Sequence, residues 1–165
     1  MAWLAPLPAS LRLRDPVALI ATWFGSGLLP KAPGTWGSLA ALPPALLIAH
    51  FGGALALVVA ACIAFALGTW AAGRYAQAAG RPDPSQVVID EVAAQWLVLA
   101  MMPVTPLAWA AAFVSFRIFD VLKPWPVSLA DRKIKGGFGI MFDDIIAAAY
   151  AMMVLLVLRK FVEGF

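Results

Sequence analysis

Residues 53–73 (GALALVVAACIAFALGTWAAG) run for 21 positions without a charged side chain. Within hydrocarbon every backbone N–H and C=O must be satisfied inside the segment, so a run of this kind is a helix or nothing. At about 1.5 Å per residue it crosses an apolar layer about 30 Å thick. Residues 140–158 (IMFDDIIAAAYAMMVLLVL) predict a second span, with Asp143 and Asp144 in its first turn. Residues 37–51 carry Pro43 and Pro44, which a first turn or a kink tolerates. They predict a short or tilted helix forming a hairpin with the run that follows. Residues 16–29 are apolar but brief and predict an interfacial or partly inserted helix.

Composition extends this to the whole chain. Apolar residues make up 63% of 165 and charged residues 13%, far from the mix of a soluble domain. The expected fold is all-α: a polytopic membrane bundle of about four to five hydrophobic helices with a short N-terminal interfacial helix. Residues 1–165 are read as one integral-membrane domain, and residues 1–15 show no processing site. Arg12, Arg14, Lys31, Arg74, Arg81, Arg117, Lys123, Arg132, Lys133 and Lys135 can share one side, which positive-inside makes cytoplasmic. Arg159 and Lys160 fall at the other end. The net charge of +3 is scattered over loops, which speaks against nucleic acid and for anionic headgroups.

Against that background five acids stand out, because Asp90, Glu91, Asp120, Asp143 and Asp144 edge apolar segments in a chain with nine acidic residues. Ionisable groups beside hydrocarbon are retained for function. Pro103 and Pro106 divide 86–122 into two helical arms of similar length. Counted from a turn between Val104 and Thr105, Asp90 and Glu91 lie about 14 residues up one arm, and Arg117 and Asp120 about 13 and 15 up the other. The fold at the prolines therefore brings four charges to one depth. An acidic pair near a helix start can also simply complement the helix dipole. Two such pairs at one level instead suit Mg²⁺, which takes carboxylates, waters and phosphate oxygens. Softer chemistry has little material: Cys62 reads as a small buried hydrophobe and His50 as interfacial.

The segment GSGLLPKAPGTWGS at 25–38 offers close backbone approach, the hydroxyls of Thr35 and Ser38 and the charge of Lys31. That suits an anion, although the P-loop spacing is missing and an interfacial turn with capping residues is the plainer alternative. Arg117, Asp120 and Lys123 recur every three residues, as a helical salt bridge or as a phosphate clamp. Lys133, Lys135, Gly136 and Gly137 form either a headgroup-attracting or a solvated loop. Cysteine, D-x-D and two-histidine phosphatases are all disfavoured: Gly68 follows Cys62 at six residues, no D-x-D occurs, and there is one histidine.

GSGLLPKAPGTWGS, VIDE, FRIFDVLKPWP and GGFGIMFDD, in this order and spacing, resemble the phosphatidylglycerophosphatase A family of bacterial membrane enzymes. The resemblance implies a Mg²⁺-dependent lipid phosphatase of the inner membrane. Its site would face the cytoplasm, and it would convert phosphatidylglycerophosphate to phosphatidylglycerol. It implies metal ligation by Asp90, Glu91, Asp143 and Asp144, and phosphate binding by Lys31, Gly34, Thr35, Ser38, Arg117 and Lys123. Asp120, Asp131 and Asp143 would be catalytic. Water activated by the metal would attack in line, with a covalent aspartyl-phosphate on Asp143 or Asp120 as the alternative route. The competing class is a small transporter or lipid-binding bundle with the acids as an ion pathway, but a pathway should have charges at the midplane or on both sides, and here the midplane is empty and the opposite face has only Arg159 and Lys160.

Overall fold

The computed structural model describes residues 4–129 and 134–161, and among these the chain is helical with no strand. The order is α1 (Pro16–Ala21), a 3-10 turn (Ser26–Leu28), α2 (Pro33–Ala79), α3 (Ile89–Ala100), α4 (Pro106–Leu122) and α5 (Gly136–Leu158). The segment 16–29, expected as one helix, is two short pieces. Trp23, Phe24 and Gly25 adopt φ of 44°, 56° and 91°, and this left-handed stretch ends the helix.

The helix α2 is a hairpin. Gly53 has φ 69° and ψ −168°, outside helical space and accessible without strain only to glycine. Drawn straight, residues 37 and 68 would stand about 46 Å apart. Instead both lie against consecutive residues of one neighbour: a Cβ on Gly37 would sit 2.6 Å from Val88 Cβ, and one on Gly68 would sit 3.1 Å from Ile89 Cγ1. The arms 33–52 and 54–79 therefore run antiparallel, as the sequence suggested.

Pro43 and Pro44 lie inside the first arm, and Pro44 leaves the Ala40 carbonyl without its helical donor. The indole of Trp23 donates to Ala40 O at 3.3 Å and that of Trp96 to Ala41 O at 2.9 Å. The two rings pack edge to face at 5.4 Å. The donor that Pro44 cannot supply is thus replaced by an indole from elsewhere in the fold.

At the centre stands α3, buried on almost every side. Its 12 residues span only about 18 Å, too short to cross a bilayer. The two arms around the prolines are therefore unequal, 12 residues against 17, because α3 stops at Ala100, short of the restriction that Pro103 places on Met102. The side chain of Thr105 caps α4 by accepting from Ala108 N at 3.2 Å.

The last helix begins at Gly136, earlier than expected, so Asp143 and Asp144 lie in its third turn and not its first. A Cβ on Gly137 would collide with the Thr69 carbonyl of α2, whereas one on Gly73 would meet Gly137 at an ordinary 3.4 Å. The glycine pair expected to attract headgroups thus includes a residue used for close helix packing.

Among the described residues, α2, which is the hairpin 33–79, and α5 carry apolar runs long enough to cross a membrane. Leu47, Phe51, Leu55 and Ile63 point outward, and Cys62 is exposed among them, contrary to the buried position expected. A surface this apolar suits contact with lipid. Gly137→Ala is expected to lower the melting temperature in detergent by an amount equivalent to about 1–3 kcal/mol, while Gly73→Ala is neutral or stabilising. Equal melting of the two variants would contradict the packing described.

Candidate active site

The start of α2, the loop at 82–87, the starts of α3 and α5 and the last turns of α4 enclose a cavity of about 600 Å³. Lys31 and Ala32 precede α2 with φ of 57° and 48°. Such left-handed backbone costs about 1–2 kcal/mol per residue. It aims the first turn, Pro33 to Thr35, at the cavity. A Cβ on Gly34 would collide with Glu91 Oε1 and come within 3.0 Å of Arg117 NH1, so a larger residue there would displace the ends of these two side chains.

Six carboxylates and three cationic side chains line the cavity among the described residues. Ligand oxygens of Asp90, Glu91 and Asp144 lie within 4.8 Å of one another. Asp90 Oδ1, Glu91 Oε2 and Asp144 Oδ2 are buried and have no hydrogen-bond partner. Buried polar atoms are normally satisfied, so three carboxylates that lie this close together and each keep an oxygen without a partner fit a hard divalent cation. The excess of carboxylates over cationic side chains in the lining agrees with that fit. Helix-dipole stabilisation is available to Asp90 and Glu91, in the first turn of α3, but not to Asp143 and Asp144, in the third turn of α5.

Arg117 and Lys123 supply the opposite charge. Arg117 NH1 lies 2.6 Å from Asp120 Oδ2 and 3.6 Å from Glu91 Oε1, with Ser38 Oγ at 3.5 Å as a hydrogen-bond acceptor. Lys123 closes α4 in a left-handed conformation, φ 42°, and its ammonium pairs with Asp143. The equal depth foreseen for the α3 and α4 charges is therefore observed as an ion pair between Glu91 and Arg117.

The structure gathers most residues singled out from the sequence. Gly34, Thr35, Asp90, Glu91, Arg117, Asp120, Lys123, Asp143 and Asp144 all line the cavity. Asp143, expected with the ligand trio, faces Lys123. Ser38 is fully buried behind Arg117 and Lys31 is exposed beside the entrance; neither is among the lining residues. Asp131 lies outside the described residues. His50 stands near the Gly53 bend, about 24 Å along the first arm from Gly34. Sequence reasoning missed Asp83 and Ser85, which line the cavity from the loop before α3. Their place a few residues ahead of VIDE was the available signal.

Comparison with known proteins gives the family. The family model described as phosphatidylglycerophosphatase A matches residues 19–159. The chain belongs to the phosphatidylglycerophosphatase A family. A phosphatidylglycerophosphatase A of Haemophilus influenzae is 38% identical over 150 residues, covering 90% of this chain and 92% of the relative. One of Escherichia coli is 39% identical over 146 residues, covering 88% and 84%. A Bacteroides thetaiotaomicron protein named putative phosphatidylinositol-3-phosphatase is 39% identical over 151 residues, covering 86% and 92%. No solved structure matches. The phosphatidylglycerophosphatase A family consists of phosphatases, so this chain is an enzyme of that class.

Asp144→Asn tests the cation fit. Removing one of three mutually repelling charges is expected to raise the melting temperature in chelator and to abolish the rise produced by Mg²⁺. The wild type should gain about 2.7 kcal/mol at a cation concentration a hundred times the dissociation constant. A full Mg²⁺-dependent rise in the variant would sink the assignment.

Proposed function

We propose that this protein is a polytopic inner-membrane phosphatase that hydrolyses the terminal phosphomonoester of phosphatidylglycerophosphate at the cytoplasmic face. The observation carrying this reading is a single cavity that joins three orphaned carboxylates to Arg117 and Lys123. Water supplies an oxygen to phosphorus, the ester P–O bond breaks, and the departing oxygen takes a proton to become the hydroxyl of phosphatidylglycerol. Asp90, Glu91 and Asp144 would hold Mg²⁺. When bound, that ion would offset phosphate charge and make water a better nucleophile.

The remaining roles fall to the chain itself. Arg117, fixed by Asp120 and Ser38, binds phosphoryl oxygens with a planar donor fork. Lys123 adds a mobile ammonium for the charge that develops on the leaving oxygen. Asp143, held by Lys123, accepts the proton of the attacking water. The N-terminal turn of α2 presents the Gly34 N–H and the Thr35 hydroxyl to the same anion, the Thr35 N–H being given to Ala32 O. An aspartyl-phosphate on Asp143 or Asp120 is separable by stereochemistry, since direct attack inverts phosphorus and two successive displacements retain it.

The decisive assay is phosphate release from phosphatidylglycerophosphate by purified protein in micelles, with and without Mg²⁺. Phosphatidylinositol 3-phosphate should be run in parallel, because of the name carried by the Bacteroides relative. Release that requires Mg²⁺ and is lost in Asp143→Asn is expected. Arg117→Lys should cost about a hundredfold in kcat, because a point charge cannot replace the fork. Cation flux through liposomes without phosphate release would favour the transporter alternative.

A further inference from the structure

A second concavity of about 400 Å³ opens beside the first, on the outer side of α4. Its wall is Phe113, Val114, Ile118, Val121 and Leu122, a stripe at helical spacing along that helix. Arg117 and Thr35 complete it, and these two, with Val121, also line the carboxylate cavity. The two spaces therefore share a seam of three residues. On one side of Arg117 lie the charges, and on the other lie only apolar side chains. Val114 and Ile118 are about half exposed, at 51% and 47%, so the groove is open to the surroundings of the helix.

From this continuity we infer that the groove on α4 seats an acyl chain of the phospholipid under hydrolysis, with Phe113, Val114 and Ile118 as its specificity-determining wall. The inference rests on the reading of the cavity as a phosphomonoesterase site and adds where the lipid body lies. A lipid whose phosphate is gripped at Arg117 has its glycerol at the seam. Its tail then runs along the stripe towards Val114, about 4.5 Å of helix rise away. Hydrocarbon gains little by leaving one apolar surface for another, so the groove contributes orientation more than affinity. It aligns the ester bond with the cation side of the cavity and lets the substrate enter sideways from the membrane plane, without leaving it.

The test uses the wild-type chain in nanodiscs with two photoreactive lipids bearing a diazirine on one acyl chain: phosphatidylglycerophosphate and phosphatidylcholine. The first is expected to label α4 at 113–118 several-fold more than the second, and unlabelled phosphatidylglycerophosphate should suppress the difference. Equal labelling by both lipids would mean that the groove only faces bulk bilayer, and would overturn the inference. Turnover measured in the same discs tests the phosphatase reading separately. Labelling without turnover would leave the seat and remove the reaction, and turnover without selective labelling would do the reverse.

As a second measurement, Val114→Trp and Ile118→Trp should lower the ratio of kcat/KM for dipalmitoyl over dihexanoyl substrate about tenfold. Val59→Trp, on the exposed face of α2 away from the site, should leave that ratio unchanged. An unaltered ratio in both groove variants would count against the seat.

Discussion

Arg117 is a side chain through which three helices meet at the cavity. Its NH1 reaches Asp120 on its own helix, Glu91 on α3 and Ser38 on α2. A guanidinium in so apolar a setting is tolerable only with its charge offset, and carboxylates gathered this closely are tolerable only with cations among them. Each therefore requires the other. Because the partners lie on different helices, the pairing also sets how α2, α3 and α4 stand relative to one another at that end. Yet one arginine and two lysines do not neutralise six lining carboxylates. The carboxylates left over are the ground on which a divalent cation is proposed for the site.

Packing makes this charge arrangement possible. In lipid there is no hydrophobic force between helices, so close approach of small residues has to hold them. Gly34 beside Glu91, Gly37 beside Val88, Gly68 beside Ile89 and Gly137 beside Thr69 are such approaches. Three of them surround the start of α3, which carries Asp90 and Glu91. The short central helix is thereby held by its neighbours' backbones, and its acids are presented at a fixed height. The unusual backbone at Lys31, Ala32 and Lys123 borders the same cavity, where strain is held by surrounding structure and serves the positioning of a first turn and an ammonium.

Much of this was legible in the residues. The helical class followed from charge-free runs, and the meeting of Glu91 with Arg117 followed from counting outward from Pro103 and Pro106. The hairpin of residues 33–79 was anticipated, although only its geometry shows Gly53 as the bend. Other features were not legible. The start of α5 at Gly136 was obscured because glycines argue against a helix by propensity, and packing against Thr69 overrides that preference. The outward face of Cys62 was hidden because a uniformly apolar run has no periodicity to distinguish its sides.

The sequence by itself determined the class of molecule, the level at which its charges lie and the family to which it belongs. These depend on apolar run lengths, proline positions and ordered motifs, all of which are local. Only the tertiary structure decided how the five acids divide their work: Asp90, Glu91 and Asp144 converge, Asp120 holds Arg117, and Asp143 faces Lys123. It also decided that an apolar groove shares Arg117 and Thr35 with the charged cavity. The physical reason is rotational. Spacing along a helix fixes depth, but the direction in which a carboxylate points depends on how neighbouring helices pack against it.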